Sequence, residues 1–216
     1  MKCKAFLFDL DGVLFESIPF HELAFKTALA DWQMPRIDYR LVAGLKTEEA
    51  IETLLRNASK TFTTQQVIDL ASHKRAIAHE LLKSSPPVRK GTKPILENLF
   101  TRFKLGLVSS SAQNNVQLFL KASQTEYLFS VIMSAQEGFK SKPSPELFEK
   151  ALERLGVSAD EAVIVEDAVS GIRAGVQAGS RVIGVMGTYT ADELKNAGAE
   201  AVIHSLVELI EYAKNL

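Results

Sequence analysis

Short apolar runs and helix-spaced apolar positions take turns along most of this chain, with one long exception near its start. Lys4–Leu10 is apolar without alternation and too short for a helix, the pattern of a strand buried on both faces. It ends in Asp-Gly, a turn signal. From about Ile18 to Lys83 the pattern changes. His21–Leu29, Glu48–Leu55 and Thr64–Leu82 carry apolar residues at helical spacing, and no convincing strand lies among them. Ser84-Ser85-Pro86-Pro87 then breaks the last helix, because proline lacks an N–H donor and restricts the residue before it.

Beyond that break the two patterns alternate. Helices are expected at Thr92–Thr101, Asn114–Ala122, Ser144–Leu155, Val169–Ala178, Ala191–Asn196 and Leu206–Ala213. Strands are expected at Lys104–Val108, Phe129–Met133, Ala162–Val165, Arg181–Val185 and Ala201–Ile203. Within the third helix Ser144 reads as the cap and Pro145 as the first helical residue. The alternation predicts an α/β fold, a doubly wound Rossmann-like parallel sheet with an inserted all-helical subdomain. Residues 1–15 and 86–216 would form the core and residues 16–85 the insert.

Such sheets bind ligands beyond the carboxyl ends of their strands. Those ends carry Asp9 and Asp11 after the first strand and Ser109, Ser110 and Ser111 after the second. Ser134 to Lys142 follow the third, and Glu166 with Asp167 the fourth. Carboxylates, hydroxyls and a lysine thus converge on one rim. A hard cation relieves the repulsion among Asp9, Asp11, Glu166 and Asp167, and all-oxygen ligation favours Mg2+. Asp9 is a competent nucleophile toward phosphorus. Asp11, two residues on, can give a proton to a leaving alkoxide and later take one from water. Lys142 and Ser109 would hold phosphoryl oxygens.

Composition narrows the partners. The chain has 216 residues, 46% hydrophobic, with 25 basic against 26 acidic side chains. That suits one sizeable domain or one with a smaller insert. The balance gives no reason to expect nucleic acid or a membrane surface. A single cysteine, Cys3, excludes an internal disulfide or a cysteine-cluster metal site. The apolar start is interrupted by Asp9 and Asp11 before it could act as a signal peptide, and no uncharged stretch approaches a membrane span. A cytoplasmic protein, monomer or weak dimer, is expected.

Four segments together resemble the haloacid dehalogenase superfamily of phosphotransferases. They are Asp9-Leu10-Asp11-Gly12-Val13, Leu107-Val108-Ser109-Ser110-Ser111, Lys142-Pro143-Ser144-Pro145-Glu146 and Val165-Glu166-Asp167-Ala168-Val169-Ser170-Gly171-Ile172, in order along nearly the whole chain. The helical insert is similar to the small cap of the β-phosphoglucomutase and phosphoglycolate phosphatase branch. The resemblance implies that Asp9 is phosphorylated and that Asp11 is the acid/base. It implies a Mg2+ ion held by the Asp9 carboxylate, the Asp11 carbonyl and Asp167, with Glu166 either a ligand or behind one. Ser109, Ser110 and Lys142 would bind phosphate, and His21, Lys46, Thr47 and Lys74 would face the substrate from the cap. The mutase branch places an arginine where this chain has Thr47 and a lysine where it has Ala112, so the resemblance favours a phosphatase acting on a small phosphorylated metabolite such as a sugar phosphate. A mutase is the alternative, and a phosphoacceptor switch the non-enzyme reading. Dehalogenases of the family lack the metal and the second aspartate, and Asp11 is present.

Each residue also has a plainer reading. An EF-hand loop starting at Asp9 would need glycine and glutamate where Leu14 and Phe20 stand, so that reading fails. Asp9 and Asp11 could form a turn. Ser109–Ser111 could cap the next helix. His21 could be a packed histidine, Lys74-Arg75 a solvated face, and Gly44–Thr47 a helix–helix turn.

Overall fold

Ala5–Phe8, strand β1, is buried at every position because it lies at the centre of a sheet covered on both sides. Ala5 and Leu7 enter one apolar layer and Phe6 and Phe8 the other, which is why the run shows no alternation. The computed structural model describes residues 2–34, 37–135 and 138–216. The other strands are β2 Lys104–Val108, β3 Phe129–Met133, β4 Ala162–Glu166, β5 Arg181–Val185 and β6 Ala201–Ile203. All pair in parallel, in the order β3-β2-β1-β4-β5-β6. The order reverses beside β1, the topological switch point where such sheets open a crevice.

The helices are α1 Ile18–Ala28, α2 Thr47–Asn57, α3 Thr64–Ser84, α4 Thr92–Phe100, α5 Gln113–Ser123, α6 Glu146–Leu155, α7 Val169–Gln177, α8 Ala191–Asn196 and α9 Glu208–Lys214. The first three pack on one another between β1 and α4. Thr63 and Gln66 form a capping box that opens α3. Leu29, Ile51 and Leu55 belong to the same apolar layer as Leu7, so the helical segment and one sheet face share a core. None of the described helices is long and apolar enough to cross a membrane.

The two passages between sheet and helical segment run side by side. The Glu16 N–H donates to the Pro87 carbonyl at 2.8 Å, and the Arg89 N–H to that of Leu14 at 3.0 Å. The Arg89 guanidinium also donates to the Gly12 carbonyl at 2.6 Å. Several boundaries shift by a residue or two from expectation, most tellingly the start of α6. Helix α6 starts at Glu146, with Pro145 as its cap and Ser144 outside it. A turn holds Ser144 back, its N–H donating to the Ser141 carbonyl at 3.0 Å.

Candidate active site

The Asp9 N–H still donates to Val165 on β4, at 3.0 Å, so the sheet fixes where its carboxylate emerges. There Oδ1 accepts from Lys142 Nζ at 2.5 Å, and the same ammonium donates to Glu166 Oε1 at 2.6 Å. Lys142 and Glu166 are each 1% exposed, so neither charge is shared with water. Glu166 Oε2 accepts the Ala168 N–H at 3.0 Å. Two glycines make room for this packing. A Cβ on Gly12, whose φ is +80°, would lie 2.0 Å from Asp167 Oδ2, and one on Gly171 would lie 1.9 Å from Glu166 Oε1.

Asp9, Glu166 and Asp167 each bring a carboxylate oxygen within 4.8 Å of the others. Three buried carboxylates face one buried ammonium. Burial pushes the Asp9 carboxyl up to about 8; Lys142 opposes this, while Glu166 and Asp11 add to it. Asp167 is raised by burial, then by Glu166 and Asp9. Burial works against the Lys142 charge, but Asp9 and Glu166 outweigh it and raise its value. The surplus negative charge and the all-oxygen donor set fit a hard divalent cation such as Mg2+.

Asp11 behaves differently. Burial disfavours its charge, yet His21 and hydrogen bonds from His21, Ser111 and Ser17 outweigh that and hold it below the usual carboxylate range. The Ser17 hydroxyl donates to Oδ1 and the Ser111 hydroxyl to Oδ2, while His21 Nε2 lies 3.2 Å from Oδ1. Lys74 Nζ lies 3.1 Å from His21 Nδ1 and 4.3 Å from the centre of the Phe25 ring. An ammonium can only donate, so Nδ1 is the acceptor and Nε2 carries the proton given to Asp11. Burial and the facing Lys74 lower the His21 value, against Asp11. Burial also lowers Lys74 to about 8, although Asp11 opposes it.

The expected residues are therefore not all alike in position. Asp9, Asp11, Glu166 and Asp167 meet at one cavity, with Ser110, Thr47, His21 and Lys74 also in its lining. Ser109 is buried below that lining; its hydroxyl accepts the Ser111 N–H at 3.0 Å and keeps its own proton to donate. Lys46 is turned away, since its ammonium donates to the Phe139 carbonyl and its N–H to Ser141 Oγ at 3.2 Å. On the sequence, Ser17 and Tyr39 have no site role, Arg75 reads as part of a solvated face, and Ser111 lies on the rim with a helix cap as its plainer role. Ser17 precedes a helix, where serine reads as a cap, yet its side chain caps nothing and binds Asp11 instead. Tyr39 is buried against the acids, and burial followed by Asp11, Asp167 and Asp9 raises its phenol.

The cavity holds only about 60 Å3, far less than a small-molecule site needs. The helical segment is shut over the sheet. Ser170 Oγ donates to the Ala43 carbonyl at 2.8 Å and Tyr189 Oη to the Arg40 carbonyl at 2.5 Å, while Arg40 pairs with Glu193.

Comparison with known proteins gives this geometry a context. The profile of a family described as haloacid dehalogenase-like hydrolase matches residues 6–185. The phosphorylated carbohydrates phosphatase of Thermotoga maritima is 28% identical over 209 residues, covering 93% of this chain and 94% of that one. A β-phosphoglucomutase of Mycobacterium bovis is 29% identical over 244 residues, covering 97% and 92%. Among solved structures, a CbbY variant from Rhodobacter sphaeroides in complex with xylulose-(1,5)bisphosphate has a TM-score of 0.81 at 28% identity, covering 96% of both chains.

Proposed function

Because the chain belongs to the haloacid dehalogenase-like hydrolases, whose relatives here are phosphatases and a phosphomutase, we propose that it is a Mg2+-dependent phosphatase of a small sugar phosphate. Residues 16–85 act as a cap over a core of residues 1–15 and 86–216. The observation that carries this reading is the different treatment of two aspartates on one turn. Asp9 is held by Lys142 among carboxylates, and Asp11 by neutral donors and the Lys74–His21 chain.

In this reading Lys142 fixes one Asp9 oxygen and leaves the other to attack phosphorus. Ser109, Ser110 and Lys142 hold phosphoryl oxygens. Asp11, ionised in this closed state, takes up a proton as substrate displaces its donors, gives it to the departing sugar oxygen, and then takes one from the water that hydrolyses the aspartyl-phosphate. Ser17, Ser111 and His21 keep its carboxylate oriented between the two steps. The closed helical segment excludes other water. The Asp9 and Asp167 carboxylates and the Asp11 carbonyl would hold Mg2+, with Glu166 beside them. When bound, the ion neutralises the carboxylates and the phosphoryl charge so that the two anions can meet.

Phosphate release from p-nitrophenyl phosphate with and without Mg2+ tests this. Asp9→Asn should lower the rate by about 10^3-fold or more, and an equal rate in both proteins would refute the role of Asp9. The likeness to a β-phosphoglucomutase supports a second reading, a mutase. Conversion of β-glucose 1-phosphate to glucose 6-phosphate, primed with the bisphosphate, would favour it.

A further inference from the structure

A sugar phosphate reaching Asp9 leaves its far end against the helical wall of the cavity, and the cations there are already engaged. Lys74 is spent on His21 and Phe25. Lys46 is spent on the Phe139 carbonyl. Arg75 lines the cavity from α3, and its Nη1 donates to Glu48 Oε1 on α2 at 2.5 Å. Glu48 stands in the first turn of its helix, beside the positive end of the helix dipole. Among the described residues of this wall, no cation is left without an acceptor.

We infer that the Glu48–Arg75 pair selects substrates whose far end is a neutral polyol and disfavours those carrying a second phosphate; this rests on the phosphotransfer reading of Asp9. The pair has no net charge, but it offers both an acceptor and donors. Arg75 lines the cavity while Glu48, bound to it, stands outside that lining, so a sugar hydroxyl can accept from a guanidinium N–H that Glu48 does not use. A second phosphate can accept from Arg75 only by approaching Glu48, anion against anion. Glu48 is thus the repulsive element of the selectivity. The two side chains are 44% and 34% exposed. Such an ion pair contributes little to the fold, so it can be altered without unfolding the protein.

Binding and turnover are measured separately. Glucose 6-phosphate and glucose 1,6-bisphosphate are titrated into Asp9→Asn protein with Mg2+, with and without Glu48→Gln. Glu48→Gln should tighten the bisphosphate by about tenfold and the monophosphate by less than about threefold, the scale of one like-charge contact removed. Arg75→Met should weaken the monophosphate by about tenfold, and Arg75→Lys should recover part of that. An unchanged ratio of the two affinities in Glu48→Gln, or a parent protein that binds the bisphosphate more tightly, would overturn the inference. Release of phosphate from p-nitrophenyl phosphate by otherwise unaltered protein reports on the phosphatase reading alone, so the two can fail independently.

Discussion

The strand ends and the helical wall that face each other across the cavity use charge in opposite ways. At the strand ends Asp9 and Glu166 are buried and bound to Lys142, with the buried Asp167 beside them and glycines leaving room for the packing. On the wall, Arg75 and Glu48 are half-exposed and Lys46 serves only to fasten a loop. Buried charges cannot be exchanged singly, because each removal strands a partner. Half-exposed pairs can be exchanged at little cost. The residues proposed for reaction and for selectivity thus differ sharply in tolerance.

Lys142→Met should break this contrast most severely. It leaves Asp9 and Glu166 without their ammonium, and a loss of about 3–5 kcal/mol is usual for a broken buried pair. Hydrolysis should fall by about 10^3-fold or more, given the loss of both phosphate and nucleophile contacts. Urea unfolding and aryl phosphate kinetics would show it, and a near-normal variant would mean that the rim is not a coupled unit.

Gly171→Ala comes next. The added methyl meets Glu166, which is tied to Lys142 and the Ala168 N–H. Overpacking of this kind costs about 1–3 kcal/mol, and kcat should fall while Gly→Ala changes at open surface positions do not affect it.

Lys74 sharpens the comparison, because it belongs to the wall yet is buried like the rim. Its value falls from 10.5 to about 8, so between those limits the unfolded chain binds more protons than the folded one. Lys74 therefore subtracts stability below pH 8, and the deficit closes as pH rises toward 10.5. Urea unfolding of the parent should gain on Lys74→Met across that window. Above about pH 8 the charged donor to His21 Nδ1 becomes a neutral, weaker one. The kcat of the parent should decline there, and that of Lys74→Met should start lower and show no such decline.

Lys46→Ala should do least. One hydrogen bond to a carbonyl is worth about 1 kcal/mol. KM should rise no more than a few-fold and kcat should hold.

The contrast also governs what the sequence could reveal. Strands β2, β3, β5 and β6 have the bounds expected of them, because short apolar runs ended by polar residues leave few alternatives. Asp9, Asp11, Glu166 and Asp167 were traceable to one rim because strand ends of a parallel sheet share a side. Contacts across the cavity were not traceable. The Ser17 and Ser111 hydroxyls meet on Asp11 from segments 94 residues apart in number; the strand-end rule places Ser111 on the rim, but nothing marks Ser17. Lys46 looked like a cavity residue because it stands beside Thr47, but side chains one position apart on a helix start point in different directions.

The place of β1 has one more consequence, for synthesis. The strand that carries Asp9 is made before both of its neighbours, yet it is central in the sheet. One neighbour begins at Lys104 and the other at Ala162. Pairing this distant in sequence is slow to form. A growing chain therefore holds Asp9 without Lys142, Glu166 and Asp167 until those later segments have been translated. On the proposed role of Asp9, its carboxylate stays idle on the ribosome and becomes competent only when the sheet has closed.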